Sequence, residues 1–385
     1  MIVIGAGAAG LATAAALAER GAAVTVVEAD NVATGSSGLS AGVFNRQTPN
    51  RIEQELRCHT VAVLTDLERA GALPLERIGY VRVATTADDL ARLRATEVRG
   101  RELGVDDARI VDPGELARIV PGMRVDDVAG GLYCPSDGHL DGHLLCAAYL
   151  ARAEAAGARL RSRTRVDGLD VTDRGAIVAI GGERIACDVV VNAAGPWAGR
   201  VAAMAGAMLP LVNQRHEIAI VHLPGPMAPP LPMVNLYVPG SGRKALYFRS
   251  EGDSRLLAGS HAHEVLAGYG VADPDRYDRQ VAFAFLEDIA EELLDRLPGC
   301  DDLRLEPGWT GLYPTSPDAL AQVGPHPGMP RLVSVAGLNG TGLTVSAGVG
   351  RIAAEWILDG EVTTFGFAGD LLPGRASLTP ADVRA

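Results

Sequence analysis

Two short apolar runs, Ile2 to Ile4 and Val24 to Val27, flank an Ala- and Leu-rich segment, Leu11 to Glu19, that favours helix and ends at Gly21. This predicts strand, turn, helix and strand, with Glu28 closing the second strand. Helical spacing of Leu, Val and Ile predicts a helix over Ile52 to Leu67, and Gly79 to Ala84 alternates as a strand. Thr86 is placed to cap a helix over Asp88 to Leu103, and Asp112 to Val120 reads as a short helix. Asp141 caps a helix running from Gly142 through Ala156. Ala158 to Arg163 and Asp188 to Gly195 are strand-like, and the second ends in small residues that leave room for a cofactor. Pro196 then starts a helix. From Leu211 to about Glu306 alternation dominates, in Glu217 to Val221, Lys244 to Arg249 and Arg255 to Gly259. That predicts an antiparallel sheet roofed by a helix over Tyr277 to Leu297, with Pro224 to Pro232 as an extended loop. Arg331 to Ala336 returns to the apolar type, and the turn Gly337 to Gly342 leads into a last helix, Leu343 to Leu358.

The chemistry begins at the first turn. Gly5, Gly7 and Gly10 have G-x-G-x-x-G spacing between strand and helix. Gly5 permits the tight turn, Gly7 admits a pyrophosphate to the backbone, and Gly10 lets the helix approach the sheet. The N–H groups of the helix start attract phosphate. Glu28 lies where a carboxylate accepts hydrogen bonds from an adenosine ribose, and its charge disfavours the 2′-phosphate of NADP. FAD and NAD both remain open on these residues. The loop Gly35 to Gly42 brings backbone N–H groups toward a phosphate or a flavin edge. His139 and His143 stand four apart near Asp137 and Asp141, but Gly138 and Gly142 break a rigid pair of metal ligands, so no metal is expected.

Composition narrows the class. A chain of 385 residues predicts two closely packed domains. A net charge of −12 argues against nucleic acid and anionic membrane as partners. The sequence shows no signal peptide and no membrane span. Cys58, Cys134, Cys146, Cys187 and Cys300 are widely scattered, which fits reduced, packed thiols in a cytoplasmic protein. Lys244 is the only lysine.

The segments GAGAAG with Glu28, GSSGLSAG, DGHLDGHLL, DVVVNAAGPWAG, LYFRSE, GWTGLYPTSPD and AGLNGTGLTVSAGVG follow one another over nearly the whole chain. In that order they resemble the FAD-dependent oxidoreductase family of D-amino-acid oxidase, glycine oxidase and sarcosine oxidase. The stretch Gly42 to Ala156 is most similar to the sarcosine oxidase β-subunit and dimethylglycine dehydrogenase branch. The resemblance implies an α/β fold, a Rossmann-like FAD-binding domain with an inserted antiparallel-sheet substrate domain. The FAD-binding domain would comprise residues 1–85, 141–210 and 307–385, with cap elements at 86–140 and the substrate domain at 211–306.

The cofactor implied is FAD. Its implied contacts are Gly5, Gly7, Ala8, Ala9, Gly10, Glu28 and Ala29 at the first turn, and Ser36, Ser37, Ser40, Ala41 and Gly42 in the small loop. Val166, Ala194, Gly195, Trp197 and Gly311 follow, then Leu338, Asn339, Gly340, Thr341, Gly342, Leu343 and Thr344 at the last helix. Leu39 stands where dimethylglycine dehydrogenase carries the histidine that bonds to the flavin, so the FAD is expected to be noncovalent. Tyr313 replaces the carboxylate-binding arginine of glycine oxidase, Thr344 replaces a lysine of monomeric sarcosine oxidase, and Leu257 a lysine tied to oxygen activation. His261 and Arg46 match retained positions. The resemblance makes His261, Arg46, Arg249 and Tyr313 the candidate catalytic residues, with the first three expected to line one cavity. His216 and Glu217 read as structural strand residues.

The implied activity is oxidation of the C–N bond of an amine or amino acid, a secondary amine foremost. A hydride passes to flavin N5 and the resulting imine hydrolyses. The electron acceptor is O₂ or a partner protein, with slow reaction toward O₂ expected from Leu257. The alternatives are oxidation of a 2-hydroxy acid and service as an FAD-carrying subunit of a larger electron-transfer complex.

Overall fold

The computed structural model describes every residue except 228, 241–244, 263–264, 266–267, 300–301 and 379–385. Lys244, His263 and Cys300 thus lie outside the described residues.

The opening unit forms as strand Ile2–Ile4, helix Ala8–Ala18 and strand Thr25–Val27. Its strands join a six-stranded sheet ordered Gln322–His326, Met329–Ala336, Val190–Asn192, Ile2–Ile4, Thr25–Val27, Arg159–Arg161. Neighbours pair in parallel except the edge strand Gln322–His326. Val3, Val26, Val191 and Val333 enter one core with helices Ala8–Ala18, Gly142–Ala155 and Gly342–Leu358. Ile2, Ile4, Val27, Val190 and Leu332 pack on the other side with a three-stranded sheet, Gly168–Thr172, Gly175–Ile180 and Glu183–Cys187. Burial on both faces is why these strands read as unbroken apolar runs.

A nine-stranded sheet is built mainly from the alternating region. Val212–His222, Arg255–His261, Ala245–Ser250 and Met233–Asn235 lie side by side, and the last pairs with Tyr80–Ala84. Leu246, Phe248, Leu256, Ala258, Ala219 and Val221 face the roofing helix Phe283–Arg296 through Phe285, Ile289 and Leu293. That helix starts six residues later than Tyr277, where the sequence reading began it. Arg215 donates to the carbonyls of Asp278 and Gln280, and Glu217 accepts from the Ala282 N–H, which holds the lead-in extended.

Arg304–Thr315 pairs along Val212–His222, so the expected domain boundary between 306 and 307 falls inside this strand. Its Pro307 and Gly308 look like strand breakers, yet they coincide with the register shift opposite Ile218 and Ala219. A Cβ on Gly308 would sit 2.5 Å from the Ile218 carbonyl oxygen, so glycine is what lets the bulge close.

Glu355, on the helix Gly342–Leu358, is 1 % exposed. Burial pushes its carboxyl up, but hydrogen bonds from Thr363, Thr364 and Arg351 outweigh this and hold its pKa at about 2. A depressed folded pKa stabilises the fold above the unfolded value near 4.5, and the contribution is lost as pH falls through about 2. The melting temperature of the wild type should therefore fall over this window more steeply than that of Glu355→Gln. Parallel curves would remove Glu355 from the acid response.

Candidate active site

The glycines of the first turn answer to close approaches. Gly5 has φ +108°, and a Cβ there would sit 2.4 Å from the Ala193 carbonyl oxygen; one on Gly10 would sit 2.1 Å from the Gly5 carbonyl oxygen. Helix Ala8–Ala18 begins at Gly7 without a side-chain cap of its own, and Ala9 and Gly10 complete its first turn. The Glu28 carboxylate accepts from the N–H groups of Ala6 (2.8 Å) and Asp30 (2.9 Å), which holds it beside the turn, with Ala29 between. Carboxylate lone pairs remain for hydroxyl donors. Val166 is buried beside this sheet. Ala194 leads into the short turn Gly195–Trp197, and the Trp197 indole donates to Asp275 (2.9 Å).

The small loop ties this turn to the large sheet. Ser37 Oγ accepts from Ala8 N–H (3.0 Å), and Ser36 Oγ donates to the Leu312 carbonyl (2.6 Å). The Leu39 carbonyl accepts from the Trp309 indole (2.8 Å) and the Ala41 carbonyl from Arg249 Nε (3.0 Å). Ser40 Oγ accepts from Gly42 N–H (3.1 Å). At the chain's last glycine-rich turn, Asn339 takes φ 49° and accepts from Ser316 N–H (2.9 Å). Gly340 lies under the Tyr313 ring, where a Cβ would come within 2.3 Å of Tyr313 Cε2. The helix then starting at Gly342, with Leu343 and Thr344, has no side-chain cap at Thr341; the Thr341 hydroxyl donates to the Leu338 carbonyl (2.8 Å). Two helix starts whose own N-cap residues supply no side-chain bond, a glycine cradle and a carboxylate at position 28 fit a dinucleotide with its phosphates at one helix and an electron-rich ring at the other.

The face of the large sheet turned away from the roofing helix has two unlike ends. At one, His261 lies edge-on to Tyr237, Tyr247 and Tyr313, with ring centroids 5.3, 6.2 and 5.8 Å away. His216 stacks on Tyr313 at 3.9 Å and faces Tyr269 at 6.5 Å. Burial raises the Tyr313 phenol to about 12 and pushes Tyr247 up as well, so both stay protonated. The sequence reading left His216 structural. Its signal was the two-residue period that sets it on the same face as Ile218 and Ile220, directly opposite Gly311 in the ladder.

The other end holds a cavity of about 480 Å³ containing Arg249, Leu257, Ile220, Trp309 and His139. Of the three residues expected to share one cavity, Arg249 lines this one, and Arg46 and His261 are not among its lining residues. Arg46 instead donates from Nε to Asp137 (2.9 Å) and from its backbone N–H to the same carboxylate (3.1 Å). Burial works against the Arg46 charge, but Asp137 outweighs it and keeps the guanidinium ionised. Among the described residues no group of three or more His, Cys, Asp or Glu side chains is placed to hold a metal. Asp141 caps its helix through the N–H groups of His143 and Leu144. No helix among these residues is long and apolar enough to cross a membrane.

The family model described as FAD dependent oxidoreductase matches residues 1–356. Sarcosine dehydrogenase of Mus musculus is 28 % identical over 397 residues, covering 98 % of this chain and 42 % of its own length. The crystal structure of glycine oxidase from Geobacillus kaustophilus superposes with a TM-score of 0.79 at 25 % identity, covering 97 % of this chain and 98 % of that one. L-proline dehydrogenase from P. horikoshii shares the fold at a TM-score of 0.83 and 23 % identity, over 96 % and 98 % of the two chains. The chain spans about two-fifths of the sarcosine dehydrogenase length. It belongs to the FAD dependent oxidoreductase family, and its cofactor is FAD rather than NAD.

Proposed function

We propose that this member of the FAD dependent oxidoreductase family oxidises the C–N bond of an amine or amino acid, a secondary amine foremost. The observation that carries the reading is the His261, His216 and tyrosine cluster, which closes on Gly340 of the last glycine-rich turn. The names sarcosine dehydrogenase and glycine oxidase among its relatives support the substrate class.

FAD, when bound, supplies a hydride acceptor at N5. Everything else falls to the chain. The tyrosine faces surround an alkylammonium group favourably while it is charged. His261 takes the ammonium proton so that the amine nitrogen can donate its lone pair. Protonated Tyr313 donates a hydrogen bond to substrate oxygen. Water then hydrolyses the released imine. Free thiols at Cys58, Cys134, Cys146 and Cys187 favour a reducing compartment, the cytoplasm.

The test is an anaerobic screen of amines and 2-hydroxy acids for loss of the oxidised-flavin colour. Bleaching by N-alkyl amino acids is expected. Bleaching by hydroxy acids alone would select the alternative substrate class, and none by either would leave an FAD-carrying subunit. We also propose that the FAD is noncovalent, because Leu39 offers no nucleophile where it contacts the Trp309 indole. Acid precipitation should leave all yellow colour in the supernatant; colour in the pellet would show a covalent link.

A further inference from the structure

The strand Arg255–His261 carries Leu257 at one end and His261 at the other, both on the face turned away from the roofing helix. Four residues of strand separate them by about 13 Å. Between them that face presents Gly259, covered by the Tyr247 hydroxyl, and Gly311, covered by Leu39. The His261 end has the aromatic cluster. The Leu257 end has the cavity, and Arg249 is the direct cross-strand partner of Leu257 there.

Arg249 is 5 % exposed, and its bonds decide what the cavity offers. Nε donates to the Ala41 carbonyl, and Nη1 donates to the Ser250 carbonyl (2.9 Å) and to Glu251 (2.6 Å). A guanidinium has five N–H donors. The two on Nη2 have no acceptor among the described residues and belong to a residue that lines the cavity. Leu257, Ile220 and Trp309 give the cavity an apolar and aromatic wall, Ser40 and Glu251 add polar groups, and Glu76 and Asp141 stand on its exposed rim. His139, also lining it, is held at about 4 by burial and by Arg249, too weak a base to deprotonate an ammonium group. The site therefore suits a ligand with an apolar ring and carbonyl oxygens. Its volume of about 480 Å³ is that of a pocket for an organic molecule, far more than dioxygen fills.

We propose that the Arg249 cavity is the docking site of an organic electron acceptor of the quinone class, separate from the amine site at His261. This rests on the reading of the chain as an amine-oxidising flavoenzyme. The quinone takes up the two electrons and two protons that the amine loses in becoming an imine, and leaves as the hydroquinone. Arg249 Nη2 donates to a quinone carbonyl and stabilises the negative charge that grows on it. Trp309 and Leu257 hold the ring.

The probe is duroquinone added to the oxidised holoenzyme, where no electrons move and no amine is needed. Saturable quenching of tryptophan fluorescence is expected, and Trp309→Phe should abolish most of it, since Trp197 and Trp356 do not line the cavity. Arg249→Met should raise the duroquinone dissociation constant at least tenfold or so, with Arg249→Lys between, for the loss of a charged hydrogen bond. Leu144→Trp, at a rim position 46 % exposed, should increase the quenched fraction even if the arginine variants do not fold. In stopped flow, reoxidation of the photoreduced wild type should saturate with duroquinone, and that of Arg249→Met should not. Quenching that never saturates and is the same in Trp309→Phe would overturn the proposal, as would loss of quinone binding when an amine-site ligand is present. Failure of amines to bleach the flavin would leave these binding results intact, so the two readings fail separately.

Discussion

His261→Ala is expected to slow anaerobic reduction of the flavin by the best amine by about 10²–10⁴-fold, the usual contribution of a positioned general base. The side chain ends the strand Arg255–His261, and its orientation is set by rings on three sides, Tyr237, Tyr247 and Tyr313. A residue that merely packed there would change the melting temperature and the substrate affinity together. A base would change the reduction rate most, and would remove the acid limb of its pH profile. His261→Gln keeps a polar ring-sized group and separates the two roles. An unchanged rate, with the acid limb retained, would take His261 out of the chemistry.

Asp137→Ala is expected to cost about 3–5 kcal/mol of stability, the range for breaking a buried ion pair from one side. Asp137 is wholly buried, and Arg46 meets it through both backbone and side chain. Arg46 also meets Ser136, the Cys134 thiol and Asp107, so the arginine fastens the chain just past the small loop onto the turn after Gly130–Cys134. Removing the carboxylate leaves the Arg46 cation with only the more exposed Asp107, 3.8 Å away, whereas Arg46→Met with Asp137→Ala removes both charges of the pair. Urea denaturation should find the double variant more stable than Asp137→Ala alone. Strict additivity would show that the pair is not coupled.

The nucleotide-binding unit was legible because most of its requirements are local. A Cβ at Gly10 collides with the Gly5 carbonyl five residues back, which sequence spacing carries, whereas the approach of Ala193 to Gly5 comes from a distant strand. The roofing helix was legible as a helix but not its start, because Arg215 from a distant strand holds residues 278–280 extended. Arg304–Thr315 was missed since Pro307 and Gly308 announce a break, and only the partner strand shows them to be a bulge. Of the aromatic cluster the resemblance supplies His261 and Tyr313, but not their neighbours. His216, Tyr237, Tyr247, His261 and Tyr313 come from separate segments that the sheet topology brings together. For Arg249 the sequence leaves open a carboxylate anchor or a pair with Glu251, and the pair forms; for Arg46 nothing local reveals that its carboxylate is Asp137.

In the proposed function a hydride leaves the carbon beside an amine nitrogen bound at the His261 cluster. The most direct test mixes the oxidised enzyme anaerobically with an N-methyl amino acid, unlabelled or deuterated at the carbons attached to nitrogen, and follows the flavin colour in a single turnover. Complete bleaching is expected, slowed several-fold by deuterium, with an aldehyde or 2-oxo acid and the corresponding amine as products. Bleaching by 2-hydroxy acids but by no amine would contradict it, and so would bleaching that deuterium at those carbons does not slow.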